Sequence, residues 1–196
     1  AVLYPGPRVL EESGFSKVVC GELGLGCARP DMDEWDAMLA RVANRQKTVR
    51  IAVVGKYVKM RDAYLSIIES LHHGGYENGA EVDIHWVEAE ECDEGSVAKM
   101  LEGCQGVLVP GGFGRRGIEG MITVCRYARD KNIPYFGICL GMQVAVVEYA
   151  RNVLGWQDAN SSEFDADTTH PVIDLMADQE GVEKGGTMRL GRYPCS

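Results

Sequence analysis

The sequence has no C-x-x-C pair, no histidine at metal-ligand spacing from a cysteine or carboxylate, no long apolar run, no internal repeat and no low-complexity tract. Each absence closes a class. The cysteines, Cys20, Cys27, Cys92, Cys104, Cys125, Cys139 and Cys195, are odd in number and form no C-x-x-C pair; they show no disulfide framework, and free thiols are the simplest reading. With no signal-like start and no span-length segment, the expected setting is a reducing cytoplasm and no membrane. The histidines, His72, His73, His85 and His170, suggest no metal site. Basic residues are also scarce, 20 against 29 acidic for a net charge of −9, which argues against nucleic acid as a partner. What remains is 196 residues, 45% hydrophobic and 25% charged, enough for one well-buried core.

Residues 1–47 lack the apolar mass of a domain. Val9 to Ser13 reads as a short helix, Gly21 to Gly26 as glycine-rich, and Met32 to Asn44 as a helix after a possible N-cap at Asp31. The segment is read as a linker, and 48–196 as the domain proper. There strands alternate with helices: a strand at Val49–Tyr57, a helix at Asp62–His73 stopped by Gly74-Gly75, and a strand at Glu81–Val87. A short helix at Glu94–Leu101 ends near Gly103, and a buried strand at Gly106–Val109 leads to a longer helix at Gly117–Lys131. A strand from Ile133 to Ile138 and a helix from Met142 to Arg151 complete the series. Four short apolar strands between helices predict an α/β fold with a parallel, helix-covered sheet, whose ligands bind beyond the strands' carboxyl ends. Pro171–Met176 and the run Gly185–Gly191 read as further strands.

Two strand ends carry possible chemistry. Cys139 falls between the Ile133 strand and the next helix, with Gly137 and Gly141 two residues to either side. That is the spacing of a nucleophile elbow with sulfur in place of oxygen. The free N–H groups of a helix N-terminus suit a negatively charged sulfur there. Cys139 is equally readable as one more small buried hydrophobe. After the Gly106 strand comes Pro110-Gly111-Gly112-Phe113-Gly114-Arg115-Arg116-Gly117, where glycines can turn peptide N–H groups toward an oxyanion. A plain strand-to-helix turn is the other reading; a phosphate loop lacks its Lys-Ser/Thr, and G-x-G-x-x-G is not matched.

Together, Gly111-Gly112-Phe113-Gly114, Gly137-Ile138-Cys139-Leu140-Gly141-Met142-Gln143 and Asn160-Ser161-Ser162-Glu163-Phe164 resemble the class I, or triad, glutamine amidotransferase domain. More narrowly, Gly55-Lys56-Tyr57, Asp62-Ala63-Tyr64, Gly120-Met121-Ile122-Thr123 and Gly185-Gly186-Thr187-Met188-Arg189-Leu190-Gly191 are similar to the CTP synthase family. The resemblance implies a flavodoxin-like sheet and hydrolysis of L-glutamine through a thioester on Cys139. It implies an oxyanion hole from the N–H groups of Gly112 and Leu140, and a glutamine pocket made by Gly112, Phe113, Leu140, Gly141, Met142, Gln143 and Glu163. Gln143 and Glu163 hold the α-amino end. Arg115, Arg116 and Glu119 resemble a lid responsive to GTP, the allosteric activator. No cofactor is implied within this chain; ATP and Mg²⁺ belong to a preceding synthetase domain that aminates UTP to CTP, in an enzyme that is a homo-oligomer when complete.

One departure bears on activity. In the family the base and its carboxylate come from a His-Pro-Glu motif beyond Ser196, and His170-Pro171, followed by Val172, is a poor substitute. The expectation is a domain that hydrolyses glutamine poorly by itself. The alternatives are a non-catalytic glutamine-binding or regulatory module, and a cysteine hydrolase of another substrate.

Overall fold

The computed structural model describes residues 3–26 and 28–175. It divides into two compact units, one of residues up to Arg50 with Asp62–Ile84, the other of Ile51–Arg61 with the residues from His85 on.

The first unit holds α1 (Gly6–Glu12), α2 (Phe15–Glu22), α3 (Asp33–Ala43) and α4 (Leu65–Glu77). No residue of α2 is buried, although Phe15, Val18 and Val19 share one face of it. Asp31 does assist the start of α3, its Oδ1 accepting from the Asp33 N–H at 2.9 Å, although Met32 occupies the cap position. Asp33, Glu34 and Asp36 then load the first turn with the charge the helix dipole favours. The helix expected to stop at Gly74-Gly75 instead runs through both glycines to Glu77. The reason is packing: a Cβ on Gly75 would lie 2.6 Å from the Ala80 carbonyl oxygen and 2.8 Å from Val82 Cγ2. Here glycine marks a close approach rather than a terminus. The turn comes at Gly79, at φ +62°. Tyr4 ties the N-terminal segment to α4, its hydroxyl donating to Glu69 at 2.8 Å and lying 2.7 Å from His73 Nε2.

Strands β1 (Lys47–Gly55), β2 (Ala80–Glu88), β3 (Gly106–Val109) and β4 (Tyr135–Gly137) form one sheet in the order β2-β1-β3-β4. β1, β3 and β4 are parallel, with Ala52 beside Val107 and Val107 beside Tyr135. Every residue of β3 is buried, as a central strand covered on both faces requires. In the second unit α5 (Val97–Met100), α6 (Ile118–Asp130) and α7 (Leu140–Asn152) follow the predicted alternation. α5 is shorter than the sequence suggests because Asp93 Oδ1 takes the N–H groups of Gly95 and Ser96, at 2.9 and 2.8 Å, and holds them in a turn. β4 begins after Pro134, which has no N–H to give a ladder.

Met121, Leu140, Val144 and Val147 fill the core against Val107 and Val109. Within it, the Glu148 carboxylate of α7 accepts from Arg129 Nε and Nη2 of α6 at 2.9 to 3.2 Å. Glu148 is buried, and the more exposed Arg129 guanidinium supplies the counter-charge a buried carboxylate requires. The chain continues into β5 (Asn160–Ser161) and β6 (Pro171–Ile173), a short parallel pair. The strand read at Gly185–Gly191 lies outside the described residues. No described helix is long and apolar enough to cross a membrane. Because β1, β3 and β4 run the same way, Lys56, the loop after Val109 and Cys139 all emerge at one edge of the sheet.

Candidate active site

Cys139 caps α7 with φ +53° and ψ −105°, a left-handed conformation rarely tolerated outside glycine. Its neighbours leave it no alternative. A Cβ on Gly137 would fall 2.3 Å from the Gly141 carbonyl carbon, and one on Gly141 would fall 2.0 Å from the Val109 carbonyl oxygen. The turn is therefore folded too tightly, and set too close to β3, for any side chain at either position. Hydrogen bonds complete it: Ile138 N–H donates to Val109 O at 2.9 Å, Gly141 N–H to Ile138 O at 3.0 Å, and the Tyr135 hydroxyl to Gly141 O at 2.8 Å. Burial pushes the Tyr135 phenol pKa upward, so it remains a donor. Strain of this kind, of order 1–3 kcal/mol, persists only where surrounding structure over-determines it. The result is an exposed thiol held at the head of a helix. The reading of Cys139 as a buried hydrophobe is thus excluded.

The glycine loop lies against the thiol. A Cβ on Gly111 would stand 3.5 Å from Cys139 Cβ and 3.9 Å from Sγ, while one on Gly112 would touch Leu140 Cδ2 at 3.3 Å and Lys56 Cδ at 3.4 Å. Leu140 opens α7, so its N–H has no partner four residues back. Leu140 is buried, and Gly141 is buried with its N–H given to Ile138 O and its carbonyl taken by the Tyr135 hydroxyl. Phe113 is 79% exposed, Met142 is exposed and Gln143 half-buried. Glu163 reaches the loop from beyond β5, its Oε1 accepting from Gly114 N–H at 3.4 Å.

Lys56, 3% exposed at the end of β1, donates from Nζ to the carbonyls of Phe113, at 3.0 Å, and Gly114. Burial, and then the nearby Arg116 charge, lower its pKa. A lysine one residue past a strand carries no compositional sign of burial, and sequence reasoning assigns Lys56 no role. Arg116 donates to Lys56 O and to Glu90, whose hydrogen bond raises the guanidinium pKa further. Arg115 is exposed and has no side-chain partner among the described residues. Glu119 is engaged by Arg151 Nη1 at 2.8 and 3.0 Å.

His170 pairs through Nδ1 with Asp158 Oδ1 at 2.6 Å and stacks on Trp156. The Thr169 hydroxyl and N–H join His170 in holding the Asp158 carboxyl well below its ordinary range. The His170 carbonyl accepts from Asn160 N–H at 3.2 Å, and neighbouring Ala159 O accepts from Arg151 at the last turn of α7. Cys139 is at the other end of that helix, roughly 20 Å away at 1.5 Å per residue. The structure does not bring His170 to the thiol.

The glutamine amidotransferase class-I family model matches residues 59–196. The CTP synthase of Ruminiclostridium cellulolyticum is 59% identical over 195 residues, 99% of this chain and 36% of that protein. The Bacillus licheniformis CTP synthase is 52% identical over 194 residues, covering 98% of this chain and 36% of the relative. Among solved structures, the Trypanosoma brucei CTP synthase glutaminase domain with bound acivicin aligns with a TM-score of 0.63 and 46% identity. That alignment covers 66% of this chain and 51% of the other. The chain spans about 36% of the length of the curated relatives it matches. With a strained cysteine elbow, a glycine loop beside it and a family match over most of its length, the chain belongs to the class I glutamine amidotransferases.

Proposed function

We propose that this chain is the glutaminase part of a CTP synthase, releasing ammonia from L-glutamine for a synthetase domain that aminates UTP to CTP. The observation that carries the reading is the exposed Cys139 at the head of α7, with Gly111 packed against it. The sulfur attacks the side-chain amide carbon of glutamine, and the carbonyl electron pair moves onto oxygen. The N–H groups of Gly112 and Leu140 receive that charge, each worth about 3 kcal/mol of transition-state stabilisation. Collapse expels the nitrogen, which leaves as ammonia once protonated, and a glutamyl thioester remains. Water then releases glutamate and restores the thiol. Glu163 and Gln143 bind the substrate's α-ammonium through their oxygens.

The proton transfers need a base. His170, held by Asp158 near the far end of α7, is not that base. Residues 48–196 are proposed as the amidotransferase domain and 1–47 as the lead-in from a synthetase domain that binds ATP and Mg²⁺. A GTP-responsive role fits Arg115 best, since Arg116 and Glu119 are already engaged.

Acivicin tests the reading. The sulfur displaces the ring chloride of acivicin, so the Cys139 peptide should gain the ligand less HCl, more slowly when L-glutamine is in excess, and Cys139→Ala should gain nothing. Labelling that survives Cys139→Ala, or that glutamine does not slow, overturns it.

A further inference from the structure

No Lys or Arg other than Lys56 is buried among the described residues, and the reaction above gives it no part. Its surroundings are specific. On one side of the Phe113–Gly114 peptide, the carbonyl of Phe113 accepts from Lys56 Nζ; on the other, the N–H of Gly114 donates to Glu163 Oε1. A trans peptide holds its C=O and N–H in opposite directions, so an ammonium below and a carboxylate above fix one plane between them. The Gly114 carbonyl accepts from the same ammonium, fixing the next plane as well. The aliphatic stem of Lys56 and the Leu140 side chain both pack where a Cβ on Gly112 would stand. Finally, Arg116 donates to the Lys56 backbone carbonyl, so residues 113, 114 and 116 all hydrogen-bond to this one residue.

We propose that Lys56 is a positioning residue for the oxyanion loop: with Glu163 it clamps the Phe113–Gly114 peptide and so keeps the Gly112 N–H aimed at the site beside Cys139. The role rests on the glutaminase reading of Cys139. Stability alone is a poor reason for this residue, because a hydrophobic side chain of similar volume in place of a buried charge is commonly neutral or better. A desolvated donor also holds its carbonyls more firmly than a solvated one, since the local dielectric is low. Glu163 touches both the clamp and the proposed substrate ammonium, so substrate capture and oxyanion geometry share one carboxylate.

The test compares two reagents on Lys56→Met, which keeps the stem against Gly112 and removes the donors. Iodoacetamide reports the thiol alone, whereas acivicin must also be oriented by the loop. The acivicin rate constant should fall about 100-fold, the loss typical of an oxyanion donor, while the iodoacetamide rate stays within about twofold. Lys56→Gln, whose amide can still donate to a carbonyl, should recover part of the loss. Equal slowing with both reagents, or an acivicin rate within about threefold of the parent, overturns the proposal. Amide exchange in the unsubstituted chain checks the clamp independently of any variant's folding. Gly114 N–H should exchange at least about tenfold more slowly than an unstructured amide, and exchange at the unstructured rate overturns the clamp. Failure of the glutaminase reading has its own signature, a parent chain whose labelling glutamine does not slow.

Discussion

The elbow at 137–141 and the glycine loop at 110–114 meet at the same thiol but are held by different means. In the elbow, backbone presses on backbone: Gly137 against Gly141, and Gly141 against Val109, at separations that admit no Cβ. In the loop, glycines 111 and 112 have ordinary van der Waals room or slightly less, and Lys56, Glu163 and Arg116 supply the restraint through hydrogen bonds. Cys139 is thus fixed by steric exclusion, and the glycine loop beside it by side chains from three separate stretches of chain. Exclusion is insensitive to solution conditions. A clamp of charged groups responds to substitution, pH and ligand.

The same substitution at two positions should separate the two regimes most strongly. Gly141→Ala should cost more than about 4 kcal/mol in urea unfolding, or prevent folding, whereas Gly111→Ala should cost less than about 1 kcal/mol. Similar losses at both would show the loop to be as sterically locked as the elbow. Next in size, Cys139→Gly should stabilise the chain by about 1 kcal/mol, as relief of the strained φ outweighs glycine's extra unfolded-state entropy. A loss of stability there would mean that the elbow holds its cysteine without strain.

The smallest effect is a pH slope. The folded-state pKa of Lys56 is lowered by burial, so between its folded and unfolded values the unfolded chain carries the extra proton, and stability rises with pH. Lys56→Met should remove that alkaline rise from a urea titration series. A slope unchanged in the variant would assign the titration elsewhere.

How much of this was legible follows from the same contrast. Steric requirements leave a mark in composition: Gly137 and Gly141 around Cys139 locate the elbow, and the apolar run Gly106–Val109 matches β3 end to end. Gly74-Gly75 shows the ambiguity of that mark, since a glycine needed for close packing inside α4 is spelled like one that ends a helix. The clamp leaves no local mark at all. Lys56 lies 57 residues from Phe113, and Glu163 lies 49 from Gly114, and neither spacing has a period to betray it. Glu163 was reachable through family resemblance, whereas the burial of Lys56 was visible only once β1 and β3 lay side by side.

Those separations also set an order of events during synthesis. Domains tend to assemble from the N-terminus as the chain emerges, and parallel pairing waits for distant partners. The elbow needs only β3, β4 and the first turn of α7, so it can form soon after residue 143 is free. The clamp cannot close until Glu163 has followed. For that interval the nascent chain carries an exposed thiol beside a loop that is not yet fully tethered.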